Sequence, residues 1–276
     1  MKRPLPRLLL PVAAFTLAST AFATLSPATA AQLRANYKAY YLGLPVATAT
    51  LTIDLKQDRY EARLAGDVSG AASVMSAFSF EMQSLGKYQN GQLQPERYVY
   101  SSRAAKETRR QEVNFKASNV SAIAVEPPIK DLSERVPIST EHGQNVIDPL
   151  SAMVTAMTSG NPKPATTCGD ALRVHGGSLR ADVSTAFLRT QATRTPGYRG
   201  QASLCSVRYN PVAGHLANAS YVKSIRENEQ IRISSVAAGN GPFELLVSAV
   251  VPLQLGTARI ELIEARIDGE VVNLAR

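Results

Sequence analysis

From Ala47 to Lys56 the chain alternates without a break. Ala47, Ala49, Leu51, Ile53 and Leu55 fall on one side, and Thr48, Thr50, Thr52, Asp54 and Lys56 on the other. Strict period two with β-branched residues marks a half-buried strand, because successive side chains leave a strand on opposite faces. A second extended run precedes it and ends at Gly43-Leu44-Pro45, which reads as a hairpin connection. A lone hairpin cannot hold its apolar face out of water, so this one requires further strands or a packed helix.

The remaining sequence offers both. Residues 59–65, 80–89, 94–102, 109–116 and 119–125 read as strands, with Asn90-Gly91 as a tight hairpin turn. Between them, Ala71, Ala72, Val74, Met75 and Phe78 follow helical spacing and predict a short helix or irregular turn over residues 70–78. Residues 126–137 carry three prolines and mixed charge, a loop and a candidate internal boundary. The clearest helix starts at Asp148, a good N-cap, followed by Pro149 at the first helical position. Leu150, Met153, Val154 and Met157 then form an apolar stripe, and Gly160 with Asn161-Pro162-Lys163-Pro164 stops it. Residues 170–175, 179–190, 201–209, 229–236, 243–250 and 257–267 read as strands, with a turn over 210–214. The last run is apolar at Ala258, Ile260 and Leu262, then shifts phase to Ile263, Ala265 and Ile267, which predicts a β-bulge. The expected fold is mainly β: a large curved antiparallel sheet or half-barrel wrapped around one or two short helices.

The first thirty residues read as a secretory signal peptide. Lys2, Arg3 and Arg7 precede an apolar run over residues 8–17, and two small-residue sites predict cleavage after Ala23 or Ala30. The run is shorter than the ~20 residues a span requires, so no stable membrane span is expected after cleavage. Residues 31–276 then form a single β-rich domain, and the expected compartment is the periplasm. Removing those three cations from the 30 Lys and Arg leaves 27 against 22 acidic residues, a net +5. That balance, with no aromatic-basic stripe, argues against nucleic acid and leaves a lipid or an envelope polymer as a possible partner. The two cysteines of an exported chain are expected to pair as Cys168–Cys205, closing a loop that stabilises by about 4 kcal/mol on chain entropy.

Nothing in the sequence announces catalysis. His142, His175 and His215 have no metal-ligand spacing, and neither a serine elbow nor a phosphate loop is present, so no cofactor and no metal are expected. Glu261 and Glu264 sit on an alternating strand and read as surface carboxylates. Arg103, Lys106, Arg109 and Arg110 form a basic stretch, either an anion-contact patch or a charged hairpin end that resists edge pairing.

The segment Tyr37-Lys38-Ala39-Tyr40-Tyr41-Leu42-Gly43-Leu44-Pro45-Val46 resembles the opening of the bacterial domain-of-unknown-function family 3108. Gly86 followed by Pro95, Asp148-Pro149-Leu150-Ser151-Ala152, residues 205–214 and residues 256–262 are similar to later landmarks of that family. The chain departs from it at Val174-His175-Gly176-Gly177, where an acidic residue is expected before the glycine. The resemblance implies an exported β-rich protein with no assigned activity, and a fold similar to the half-barrel of periplasmic lipoprotein carriers.

The functional expectation is a non-catalytic binding or carrier protein for an apolar or amphipathic envelope ligand. Leu51, Ile53, Met153 and Met157 are the expected lining residues, since methionine adapts to varied shapes; plain core packing is the competing reading. The alternative function is a structural or assembly factor acting through its surface, and a hydrolase is the least favoured.

Overall fold

The computed structural model describes residues 30–69, 77–89, 91–158, 168–169, 171–239 and 241–273. The expected leader and residues 70–76 of the expected short helix lie outside them; Phe78 opens a strand instead. The first half supplies β1 (Ala31–Tyr41), β2 (Leu44–Leu55), β3 (Arg59–Val68), β4 (Phe78–Gln89), β5 (Gln92–Ala104), β6 (Thr108–Lys116) and β7 (Asn119–Glu126). Helix α1 (Pro149–Met157) follows a strap over residues 127–148. Then come β8 (Ala171–His175), β9 (Arg180–Thr195), β10 (Tyr198–Ala213), α2 (Ser220–Arg226), β11 (Arg232–Ala237), β12 (Glu244–Leu253), β13 (Gly256–Ile267) and β14 (Glu270–Val271).

These strands make one antiparallel sheet in the order β7-β6-β5-β4-β3-β2-β1-β13-β12-β11-β10-β9-β8, with β14 on β13. Its centre is the hairpin that the alternation predicts. Leu51, Ile53 and Leu55 of β2 are buried, and their neighbours Thr52 and Asp54 are not. β1 pairs with β13 rather than only with its own hairpin partner, so the two halves of the chain meet at the middle of the sheet.

The expected bulge is in place. Asn36 faces Glu264 while Tyr37 faces Leu262, so Ile263 is the extra residue of β13. Leu262 and Ala265 both turn inward across it. The bulge also receives the far end of the β9–β10 hairpin: Gly197 N–H donates to the Leu262 carbonyl at 2.9 Å. A Cβ on Gly197 would lie 2.6 Å from the Ile263 carbonyl oxygen, so only glycine permits this approach.

The turn expected over residues 210–214 is corrected by the structure: β10 runs on to Ala213. Pro211 is tolerated there because β11 pairs only with Ser203–Ser206, which leaves that end of β10 with β9 as its one strand neighbour. A second correction is α2, which the sequence reading missed; Val222 is its one buried residue, too little for a periodic signal.

The two ends of the sheet approach one another without pairing as a closed barrel. The strap forms the seam. Val146 N–H donates to Ser118 O at 2.8 Å, beside the β6–β7 turn. Ile147 then bridges β8, donating to Arg173 O and accepting from His175 N–H, each at 2.9 Å. Across the seam, Gln111 Oε1 accepts from the Ser178 amide at 3.2 Å and its hydroxyl at 2.9 Å.

Asp148 follows directly and carries no exposed surface. Its Oδ1 accepts from the Leu150 and Ser151 amides at 3.0 and 2.9 Å, the expected N-cap. Its Oδ2 accepts from the Ser84 and Ser151 hydroxyls at 2.8 and 2.5 Å. Tyr60 OH closes the cluster, 2.5 Å from Ser151 Oγ and 3.1 Å from Ser84 Oγ. Asp148 thus caps the helix and fastens it to β4, while Ser151 ties it to Tyr60 of β3. Burial pushes the Asp148 carboxyl above the usual range, and the donors from Ser151, Ser84 and Leu150 pull it back.

Asp148→Ala leaves two hydroxyls and two amides without their acceptor in a dry site. It is expected to cost about 3 kcal/mol or more in a urea melt. Asp148→Asn keeps an acceptor for the two amides and is expected to lose about half of that. Equal midpoints for wild type and Asp148→Ala would contradict the clasp.

Candidate cavity on the concave face

Helix α1 fills only part of the bowl. Leu150, Val154 and Met157 are buried in one core cluster with Leu51, Ile53, Tyr60, Val113, Leu245 and Leu262. The opposite flank, with Pro149, Ala152, Met153 and Ala156, faces a cavity of about 840 Å³. That size lies within the range of small-molecule sites.

Period two builds the far wall. Leu172 and Val174 of β8, Ala181, Val183 and Thr185 of β9, Val207 and Tyr209 of β10, and Ile233 and Ser235 of β11 all line it. Register aligns these residues in rows: Leu172 faces Val183, Val183 faces Tyr209, and Thr185 faces Val207. Directly opposed residues share a face, so the rows make one continuous apolar surface. Met82, Tyr98 and Tyr100 close the near side.

The disulfide Cys168–Cys205 borders this space. Its Cα atoms are 6.2 Å apart, and Cys205 pairs in register with the lining residue Ile233. The bond ties the chain that follows α1 to β10, across the cavity from the Asp148 clasp. Gly169 also lines the cavity, and its N–H donates to Thr185 Oγ1 at 3.1 Å.

Polar groups are few and sit toward the two ends. Arg109, Gln111 and Arg135 lie at the end where β6 begins. Arg135 donates to Gly214 O at 2.8 Å, and Arg109 pairs with Glu107 at 3.0 Å. Glu244, at the start of β12 and therefore toward the opposite end, accepts from Ser235 Oγ at 2.7 Å. Burial, then the charge of Asp148, pushes the Tyr98 phenol well up, so it stays a neutral donor.

Of the expected lining residues, Met153 and Met157 lie on the cavity. Leu51 and Ile53 have no exposed surface and belong to the core beneath the other flank of α1. The lining strands of the second half were missed as site residues. Their alternation was visible, but a period of two does not say which face looks inward. Two of the four residues of the expected basic stretch are in ion pairs: Arg109 with Glu107, and Arg110 with Glu112, each at 3.0 Å. Among the described residues no group of three or more His, Cys, Asp or Glu is placed to hold a metal ion. Nor does any helix there have the length and apolarity to cross a membrane.

The sequence profile of the family described as "Protein of unknown function (DUF3108)" matches residues 36–263. The chain belongs to the DUF3108 family. No curated protein matches it. A solved structure described as a beta-barrel-like protein of domain of unknown function DUF1849, from Brucella abortus, is similar at 11% identity with a TM-score of 0.47; the match covers 86% of this chain and 97% of that one. The motifs by which this DUF3108 chain resembles its family fall at turns and strand contacts. The opening motif spans the β1–β2 turn, Gly86 faces Pro95 beside a register shift, and Asp148-Pro149 starts α1.

His175 closes β8 behind the cavity wall and is buried. Its Nδ1 accepts from the Gly177 amide at 3.2 Å. Burial, then the charges of Arg180 and His142, lowers its pKa from 6.5 to about 4. The unfolded chain therefore takes up this proton first, and stability falls as pH drops from about 6.5 through about 4. The expected loss is about 3 kcal/mol. In His175→Gln that limb of the stability–pH curve should flatten; an unchanged limb would contradict the assignment.

Proposed function

We propose that this chain is an exported, periplasmic binding or carrier protein for an apolar or amphipathic envelope ligand. The ligand lies in the cavity between α1 and the strands β8–β12. The observation that carries the reading is the space itself: about 840 Å³, walled by rows of aliphatic and aromatic side chains with a few polar groups toward its ends. Met153 and Met157 adapt to the ligand from the helix side, and Leu172, Val183, Val207 and Ile233 form the opposing wall. The leader-like first thirty residues and the disulfide support an oxidising compartment.

The reading is not enzymatic. The buried Asp148–Ser151–Ser84–Tyr60 cluster is not part of the cavity lining, and its hydroxyls are engaged with one another and with the carboxylate. That arrangement suits anchoring and turns none of the cluster's own hydroxyls toward the cavity.

Native mass spectrometry of the protein prepared without detergent is expected to show an adduct in the lipid mass range, displaceable by a long-chain fatty acid. Ala152→Phe places a ring in the cavity from the half-buried flank of α1. It is expected to weaken fatty-acid binding at least tenfold while changing stability by about 1 kcal/mol or less. Bare protein that takes up no fatty acid would overturn the reading.

A further inference from the structure

We propose that the adjoining β1–β2 and β12–β13 turns form a tip that seats on the surface of an anionic lipid bilayer. Leu42 and Leu44 flank the first turn and are 65% and 62% exposed. Leu253 and Leu255 at the second are 49% and 79% exposed. The sheet brings the two turns together. Leu42 N–H donates to Thr257 O, Tyr41 OH donates to Leu255 O, and the Leu42 side chain lies over Gly256. Four leucines that stability would place inside a protein are gathered at one projecting end.

Leu42 is also costly where it stands. It has φ +51° and Gly43 has φ +81°, the pair of left-handed residues of a type I′ turn. Asparagine, aspartate or glycine suits the first of those positions, and leucine does not. With 65% of its surface in water, Leu42 gains little burial energy in the isolated fold to offset its backbone strain, so an external contact explains it.

The composition behind the tip favours a bilayer. Tyr40 and Tyr41 follow the leucines down the strand, with Arg259 level with Tyr40 and Lys38 behind it, facing Glu261 in register. Among the described residues no ion pair engages Lys38 or Arg259. Aliphatic side chains outermost, then aromatic hydroxyls with one cation beside them and a second behind, suit the acyl region and the anionic headgroup layer of a bilayer. Two short turns are also far smaller than the ~800 Å² per partner of a standard protein interface, which argues against a second copy. By strand direction the tip lies at the same end of the sheet as Arg109, where β6 begins. The inference rests on the tip alone and stands whether or not the cavity holds a ligand.

The test is co-sedimentation of the mature chain with vesicles of phosphatidylglycerol and phosphatidylethanolamine, and with phosphatidylcholine vesicles. Wild type is expected to bind the anionic vesicles better than the neutral ones. Leu42→Asn with Leu255→Ser should bind at least tenfold more weakly, with an unchanged melting temperature, since asparagine accepts the left-handed turn. Wild type that stays in the supernatant at low salt, or a double variant that binds equally well, would overturn the proposal. So would sedimentation equilibrium showing a wild-type dimer that the double variant dissolves, because the tip would then join two copies of the chain.

Discussion

Asp148 is the constraint from which the rest of the interior follows. A carboxylate with no exposed surface is tolerable only when its acceptor positions are filled, and four donors converge on this one. Two of them start α1, and a third comes from β4. Ile147, one residue earlier, is stitched into the edge of β8. The helix start, strand β4 of the first half and the seam between the sheet's ends are therefore fixed within a few residues. Their separation in sequence is large: Ser84 lies 64 residues from Asp148, and Tyr60 lies 91 from Ser151.

That anchoring explains why the bowl is part filled and part hollow. The clasp pulls α1 against β3 and β4, where Leu150 and Val154 complete the core. Helix α1 comes close to β8 and β12 of the second arm as well as to β3–β5 of the first, yet its flank at Ala152, Met153 and Ala156 still faces open space. The gap on its other flank is spanned at the seam by Gln111 and Ser178 and bordered by the disulfide. The cavity is thus a geometric result of where the helix is held. The same sheet places the leucine-bearing turns at its middle, where β1 meets β13 and the two halves of the chain join.

The sequence disclosed local features best. Alternation in β2, the Asp148-Pro149 start of α1, the phase shift at Ile263 and the cysteine pairing each have a short-range or compositional cause. The features it concealed depend on distant partners. Ser151 lies outside the apolar stripe read from the sequence, yet it is buried because Tyr60 and Ser84 meet it. Residues 210–214 carried turn chemistry, but pairing with β9 holds Asn210–Ala213 in the strand and the chain turns only at Gly214. Met153 and Met157 were legible as cavity candidates from type and spacing. Leu51 and Ile53 belong to the same inward face but lie under the filled side, a distinction made by the docking of α1 and by nothing in β2 itself.

The account depends on open, apolar space between the outer flank of α1 and the strands β8–β11. The most direct measurement is a crystal structure of the ligand-stripped protein under xenon pressure, since xenon enters dry apolar cavities and avoids polar ones. Xenon density beside Met153, Leu172 and Ile233 is the predicted result. Helix α1 seated flush against β8–β11, with no xenon between them, would contradict it.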